Sequence, residues 1–227
     1  MPVFRLQKRS LVFPPASLAD DSYGGLLAVG GDYRAERLVE AYSHGIFPWP
    51  EPSVTDEITW FSPTPRFVLL PGNLHVPKSL ARVMKSRKFE ITVDKAFGKV
   101  IRACATVPRP GQDGTWITDD LIAGYETLHR RGYAHSVEAW FQGELAGGFY
   151  GVSLGTCFFG ESMFAKVADA SKCAFATYAT RLFADGCPFI DCQVHTEHLA
   201  RFGAVEIPRG DYLDMLAKAL GNAQPAI

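Results

Sequence analysis

The sequence predicts an α+β protein with a small N-terminal unit, residues 1–63, and a larger domain, residues 64–227, that contains an antiparallel meander. Three observations carry this. The N-terminal stretch is punctuated by Gly, Pro and aromatic residues. In mid-chain, three strand-like runs are separated by turns short enough for hairpins. Amphipathic helices fall before, between and after the strands rather than in strict alternation with them.

In the first unit, Gly24-Gly25 and Gly30-Gly31 frame the apolar segment Leu26 to Val29. Asp32 can cap a helix running to about Ser43, and Gly45 suits the position just past its end. Ile46-Phe47-Pro48-Trp49-Pro50 cannot be helical and is expected as loop, and a further loop from Glu51 to Glu57 leads to Thr59-Trp60-Phe61-Ser62-Pro63. The boundary between units is expected near Pro63–Pro65.

Pro77 suits the first position of a second helix. Leu80, Val83 and Met84 share one face of it, and Lys78, Arg82 and Lys85 the opposite one. A third helix is expected over Asp119 to Arg131, ended by Gly132, with Leu121, Tyr125 and Leu128 inward. Its acidic first turn and basic last turn suit the helix dipole. His135–Phe141, Leu145–Leu154 and Cys157–Phe164 then read as an antiparallel meander. Asp169 can cap a helix through about Ala184, with Phe175, Tyr178 and Leu182 inward and Gly186 at its end. A strand Phe189–Val194, a short helix Thr196–Phe202, a strand Ala204–Ile207 and a helix Asp211–Leu220 complete the chain.

Composition excludes several classes. With 227 residues, 47% hydrophobic, the chain can bury a substantial core, and a net charge of −1 means that any nucleic-acid surface must be local. No apolar run is long enough to span a bilayer. Arg5, Lys8 and Arg9 precede an apolar stretch too short and too broken by Pro14-Pro15 for a secretory signal. Five cysteines without a CxxC spacing argue against a disulfide framework and for a reducing cytosol.

The candidate chemistry gathers in two segments. Ile190-Asp191-Cys192-Gln193-Val194 alternates with period two, which puts Asp191 and Gln193 side by side on one face. That pair is either a solvated edge or a site where a carboxylate holds an ammonium or takes its proton while an amide orients it. Glu161 sits among apolar neighbours in Phe158–Phe164 and needs a partner if buried. If the segments lie together, two carboxylates form a pocket for a cationic group. Cys192, His195 and His198 have the wrong spacing for a common zinc site. No cysteine lies in an activating signature, His129 and His135 have no evident partner, and no GxSxG, GxGxxG or P-loop is present. Of the aromatics, most belong in a core. Trp49, between two prolines, and Trp116, after Gly114-Thr115, could instead wall a pocket or stack on a base.

Taken together, these segments resemble the leucyl/phenylalanyl-tRNA–protein transferase family. The matching blocks are Gly25–Asp32, Ala41-Tyr42 with Gly45–Trp49, Trp60–Pro63, Gly114–Thr118, Ala134–Glu138, Gly147–Val152, Phe159–Phe164, Asp169–Lys172, Ile190–Gln193 and Gly203-Ala204 with Ile207–Arg209. Each is weak alone. Their order and their reach over nearly the whole chain make the set specific.

The resemblance implies a small N-terminal domain packed on a larger domain like that of GCN5-type acetyltransferases, with a mixed or antiparallel sheet. It implies an enzyme that takes Leu or Phe, and also Met, from aminoacyl-tRNA and joins it to the N-terminal Arg or Lys of a protein, marking that protein for degradation. No cofactor, metal or acetyl-CoA is needed, because the ester is already activated. A cytoplasmic monomer with no membrane partner is expected. At the catalytic step the resemblance places Asp191, as steering group or base for the acceptor amine, and Gln193, with Glu161 as the acidic pocket residue. Trp49 and Trp116 match positions near the terminal adenosine of tRNA. Tyr42, Phe158 and Tyr178 match positions at the aminoacyl end, Tyr125 is placed with the substrate-binding groups, and Phe149 falls in the side-chain pocket. Lys78, Arg82 and Lys85 fall where the acceptor stem is contacted. Phe61 replaces a usual second Trp, and Tyr178 a Phe found in some members.

Two other readings remain at this level. One is an acetyl-CoA-dependent amine acyltransferase of the same fold, although the Arg/Gln-x-x-Gly-x-Gly/Ala loop is not evident. The other is a noncatalytic adaptor for N-terminal Arg or Lys.

Overall fold

The computed structural model describes residues 3–50, 55–107 and 116–221. Part of the expected 51–57 loop, and the turn at Gly114-Thr115, lie outside the described residues. The chain runs β1 (Phe4–Leu6), β2 (Leu26–Gly30), α1 (Ala35–Ser43), β3 (Phe47–Pro48), β4 (Thr59–Phe61), β5 (Arg66–Leu69), α2 (Lys78–Lys85), β6 (Glu90–Val93), α3 (Phe97–Thr106) and α4 (Asp119–Arg130). It continues with β7 (Ala134–Phe141), β8 (Glu144–Leu154), β9 (Cys157–Ala165), α5 (Ala170–Ala184), β10 (Ile190–Gln193), α6 (Glu197–Ala200), β11 (Val205–Ile207) and α7 (Arg209–Leu220). The class is α+β, as expected.

Two sheets divide the chain. One has the order β1-β2-β4-β3, and the other β11-β5-β10-β9-β8-β7-β6. In the larger sheet β7, β8 and β9 form the expected antiparallel meander, whereas β10 lies parallel to β9 and antiparallel to β5. A parallel neighbour requires a crossover, and α5 supplies it. The hydrophobic core does not stop between the sheets. Tyr42, Phe47 and Trp60 belong to the same buried cluster as Tyr125, Tyr150, Phe159 and Tyr212.

Local chemistry explains most element ends. Thr118 accepts a hydrogen bond from the Leu121 amide and caps α4. The Gln142-Gly143 turn of the β7–β8 hairpin has positive φ at both residues, 54° and 81°, which matches the strands' twist. Beyond α1, Gly45 has φ 71°, and the Ile46 amide reaches back to the Ala41 carbonyl. A Cβ on Gly45 would stand 2.7 Å from Leu213 and 2.9 Å from Tyr212, so glycine also permits α7 to close on this turn.

Several expectations need correction. Phe47–Pro48, in the expected Ile46–Pro50 loop, pairs with β4 as β3. Asp169 precedes α5 but its side chain makes no capping hydrogen bond. Asp32 is not the residue before α1; it accepts from the Arg34 amide in a local turn and pairs with Arg37. Pro77 precedes α2 instead of opening it. The sequence reading also lacks β5, β6 and α3. β5 is short and buried on both faces, so it shows no alternation. By contrast, α3 carries a legible helical stripe at Phe97, Val100, Ile101 and Cys104. His135 finds a partner in Asp94 at 2.7 Å, and the His129 Nδ1 lies 2.8 Å from the Ala134 carbonyl oxygen.

The segment leading into α1 comes close to α4. A Cβ on Gly124 would lie 2.4 Å from the Tyr33 carbonyl oxygen. Gly124→Ala should therefore destabilise the fold by about 1–3 kcal/mol, despite the better helix propensity of Ala. Chemical denaturation monitored by tryptophan fluorescence measures it.

Candidate functional site

Two irregularities in neighbouring strands build the site. In the β8–β9 ladder Tyr150 pairs with Ser162 and Gly151 with Gly160, which leaves Glu161 as the extra residue of a bulge. In the β5–β10 ladder Asp191 pairs with Val68 and Gln193 with Phe67, which leaves Cys192 extra. The parallel β9–β10 pairing reaches only Ile190↔Phe158 and Asp191↔Phe159. Beyond it Glu161 and Gln193 face each other, and the Gln193 Nε2 donates to the Glu161 Oε1 at 2.8 Å. Bulges re-aim side chains, and these two aim a carboxylate and an amide at one point.

Gln193 has φ 65°, in the left-handed region. This overturns the simple alternation expected for residues 190–194. Cys192, Gln193 and Val194 all line the same cavity, and Asp191 does not. Period-two reasoning presumes extended backbone throughout.

Asp191 is fully buried behind the cavity wall. Its Oδ1 accepts from Arg66 Nε at 2.9 Å and from the Gln193 amide at 2.8 Å. Its Oδ2 accepts from Arg66 Nη2 at 2.6 Å and from the Tyr212 hydroxyl at 2.8 Å. With every acceptor direction taken, this carboxylate does not stand beside Glu161 as the second wall of a cationic pocket. It orients the Gln193 backbone instead. The sequence reading missed both Arg66 and Tyr212. A clue existed for Arg66, a cation heading the apolar run Phe67-Val68-Leu69-Leu70.

The cavity has a volume of about 510 Å³. Trp49 and Trp116, both half-buried, stand on its wall with Phe47. Phe149, Met163, Phe175, Ile190, Cys192 and Leu199 supply an apolar lining. Tyr42, Tyr125, Phe158 and Tyr178 do not line it. Phe158 and Tyr178 pack edge-on against Phe149, with ring centroids 6.2 and 5.9 Å away. Tyr42 and Tyr125 are fully buried and hydrogen-bonded to each other, and Tyr125 donates to the Glu161 Oε2 at 2.8 Å. These four side chains therefore support the lining from behind.

Burial is the largest influence on Glu161 and pushes its carboxyl up to about 7, against the hydrogen bonds from Tyr42, Tyr125 and Gln193 that favour the ionised form. Burial likewise raises the Cys192 thiol far above the usual range, so it serves as an uncharged wall. Among the described residues no three His, Cys, Asp or Glu side chains converge as metal ligands. Away from the cavity, Lys78, Arg82 and Lys85 are exposed on α2, while Leu80 on its other face is buried. Among the described residues no helix is long and apolar enough to cross a membrane.

A family model for leucyl/phenylalanyl-tRNA protein transferase matches residues 68–217, and a model of the N-terminal domain of that transferase matches residues 31–64. A leucyl/phenylalanyl-tRNA–protein transferase of Myxococcus xanthus is 56% identical over 97% of this chain and 93% of its own length. One from Anaeromyxobacter sp. strain K is 54% identical over 97% and 92%. Among solved structures, a GCN5-related N-acetyltransferase from Kribbella flavida aligns with a TM-score of 0.37 and 14% identity, over 79% of this chain and 63% of that one.

A raised carboxyl makes a signed prediction. The Glu161 carboxyl lies above its unfolded value, so its contribution to stability is fully present below the unfolded value and is lost as pH rises through about 7. Glu161→Gln removes that loss. The variant should gain stability over the parent as pH goes from 5 to 8, by on the order of 1 kcal/mol. Thermal melts across this range measure it.

Proposed function

The chain belongs to the leucyl/phenylalanyl-tRNA protein transferase family, and from that premise we propose how it carries a Leu, Phe or Met residue from aminoacyl-tRNA to a protein that begins with Arg or Lys. The observation that carries the reading is the Glu161–Gln193 pair at 2.8 Å on the wall of a cavity lined by tryptophans and by apolar side chains.

In this reading the donor's terminal adenosine lies against Trp49 and Trp116, and its side chain enters the lining of Phe149, Met163 and Phe175. Burial of the side chain contributes about 1.5–3 kcal/mol, which favours Leu, Phe and Met over polar residues. Tyr42, Tyr125, Phe158 and Tyr178 keep that wall in place. The donor thus sits where residues 1–63 meet residues 64–227. The exposed Lys78, Arg82 and Lys85 carry the acceptor stem by contacts with phosphate. The enzyme acts as a monomer in the cytoplasm, and its product marks the acceptor protein for degradation.

The acceptor's cationic N-terminal residue is drawn to Glu161. Nε2 of Gln193 is committed to that carboxylate, so its Oε1 is the atom that can accept from the attacking amine. The amine nitrogen forms a bond to the ester carbonyl carbon, the bond from that carbon to the ribose oxygen breaks, and the amine's proton ends on the ribose. Glu161, near 7, is close in proton affinity to an α-amine at about 7.7–8, so passing the proton costs little. Asp191 contributes by holding Gln193. Most of the acceleration comes from alignment of an already activated ester with its nucleophile.

Incubation with radiolabelled Phe-tRNA and a peptide beginning with Arg tests the activity. Label should move to the peptide; label taken only from acetyl-CoA, or none at all, would sink the reading. Gln193→Ala should cut kcat by about 10²-fold or more with little change in the Kd for Phe-tRNA. Filter binding and single-turnover transfer separate the two. Replacing Lys78, Arg82 and Lys85 with Glu should raise KM for tRNA and flatten its dependence on salt; an unchanged salt slope would refute the footprint.

A further inference from the structure

We infer that Arg66 and Tyr212 are positioning residues for the transfer reaction, holding Gln193 in its left-handed conformation through the Asp191 carboxylate. The inference rests on the transferase reading above and deepens it. It starts from a chain of contacts. Arg66 is fully buried, and its guanidinium lies between two rings, 4.7 Å from the Phe47 centroid and 4.4 Å from that of Tyr212. Its edge is engaged as well, because Nη1 donates to the Gly45 carbonyl at 3.2 Å while Nε and Nη2 take one oxygen each of Asp191. Tyr212 accepts from Nη2 at 3.3 Å and donates to the Asp191 Oδ2.

These partners come from separate parts of the fold. Arg66 heads β5, Tyr212 lies on α7, and Gly45 and Phe47 belong to the N-terminal unit. Together they fix the plane and rotation of one carboxylate. The carboxylate has one further bond, from the Gln193 amide to its Oδ1 at 2.8 Å. The left-handed region is unfavourable for a residue other than glycine, so Gln193 relies on that bond to stay there. Were Asp191 to turn, Gln193 could relax to extended backbone. Its side chain would then swing to the other face of β10, away from Glu161. A buried ion pair is a poor way to gain stability alone, since well-packed apolar residues often serve as well. Its geometry suits a device that sets an angle.

Tyr212→Phe removes one donor and leaves the ring over the guanidinium. In the full-length enzyme, transfer of Phe from Phe-tRNA to a peptide beginning with Arg should fall about 5- to 20-fold in kcat, with KM for tRNA unchanged and the thermal midpoint lowered by only a few degrees. The same substitution made on an Asp191→Asn background should cost less than about twofold, because its route to Gln193 is already cut. Arg66→Lys keeps the charge but loses the fork, and should follow Tyr212→Phe in sparing KM. Equal losses on both backgrounds, an unchanged kcat, or a loss confined to KM or to the thermal midpoint would overturn the inference. A parent enzyme that transfers nothing would instead overturn the transferase reading.

Discussion

Arg66 and Asp191 meet in a bidentate pair with no access to water, and much of the architecture converges on them. Taking both charges out of water costs several kcal/mol per ion, which only fixed geometry and full hydrogen bonding can offset. That requirement is met from several directions at once. The N-terminal unit brings the Gly45 carbonyl and the Phe47 ring, and α7 brings the Tyr212 hydroxyl and ring. β5 and β10 bring the charges themselves. The pair therefore registers both sheets and the last helix against one another, and the angle of Gln193 follows from it.

Glu161 lives under the opposite condition. Its carboxylate borders a cavity, held by Tyr125 and Gln193 but raised by burial to about 7. A group left so close to its titration point stabilises the fold poorly at neutral pH. It is well placed to hold a cation or pass a proton. The neighbouring bulges at Glu161 and Cys192 serve the same end, giving up regular pairing to bring two polar groups together in an apolar lining.

How much of this could be read in advance differs by element. The β7–β8–β9 meander was legible because its runs are long and its turns carry the right residues, and the C-terminal ends of α4 and α5 were legible from Gly132 and Gly186. The face of α2 was legible because helical spacing separates Leu80 from Lys78, Arg82 and Lys85. β5 was not, since a short strand buried on both faces has no period. In the site, Glu161 and Gln193 stood out as polar groups in apolar surroundings, and Trp49 and Trp116 as tryptophans beside rigid turns. Tyr42, Tyr125, Phe158 and Tyr178 lie one layer behind the cavity lining. Nothing local distinguishes an aromatic that lines a cavity from one that props up the lining.

By itself, then, the sequence determined the class, the meander, the basic helix face, the membership in a family and the identity of the polar groups at the centre. The family is carried by the order of its matching blocks along the chain, and the rest follows from composition, from periodicity and from short-range chemistry. Only the tertiary structure decided which way the groups point. Residues 66, 191 and 212 lie far apart along the chain, and their hydrogen bonds hold a backbone angle at residue 193 that its own sequence would not choose. Period two put Asp191 and Gln193 side by side. The left-handed conformation of Gln193 itself sent its side chain into the cavity and left Asp191 behind it, because a buried carboxylate follows its donors.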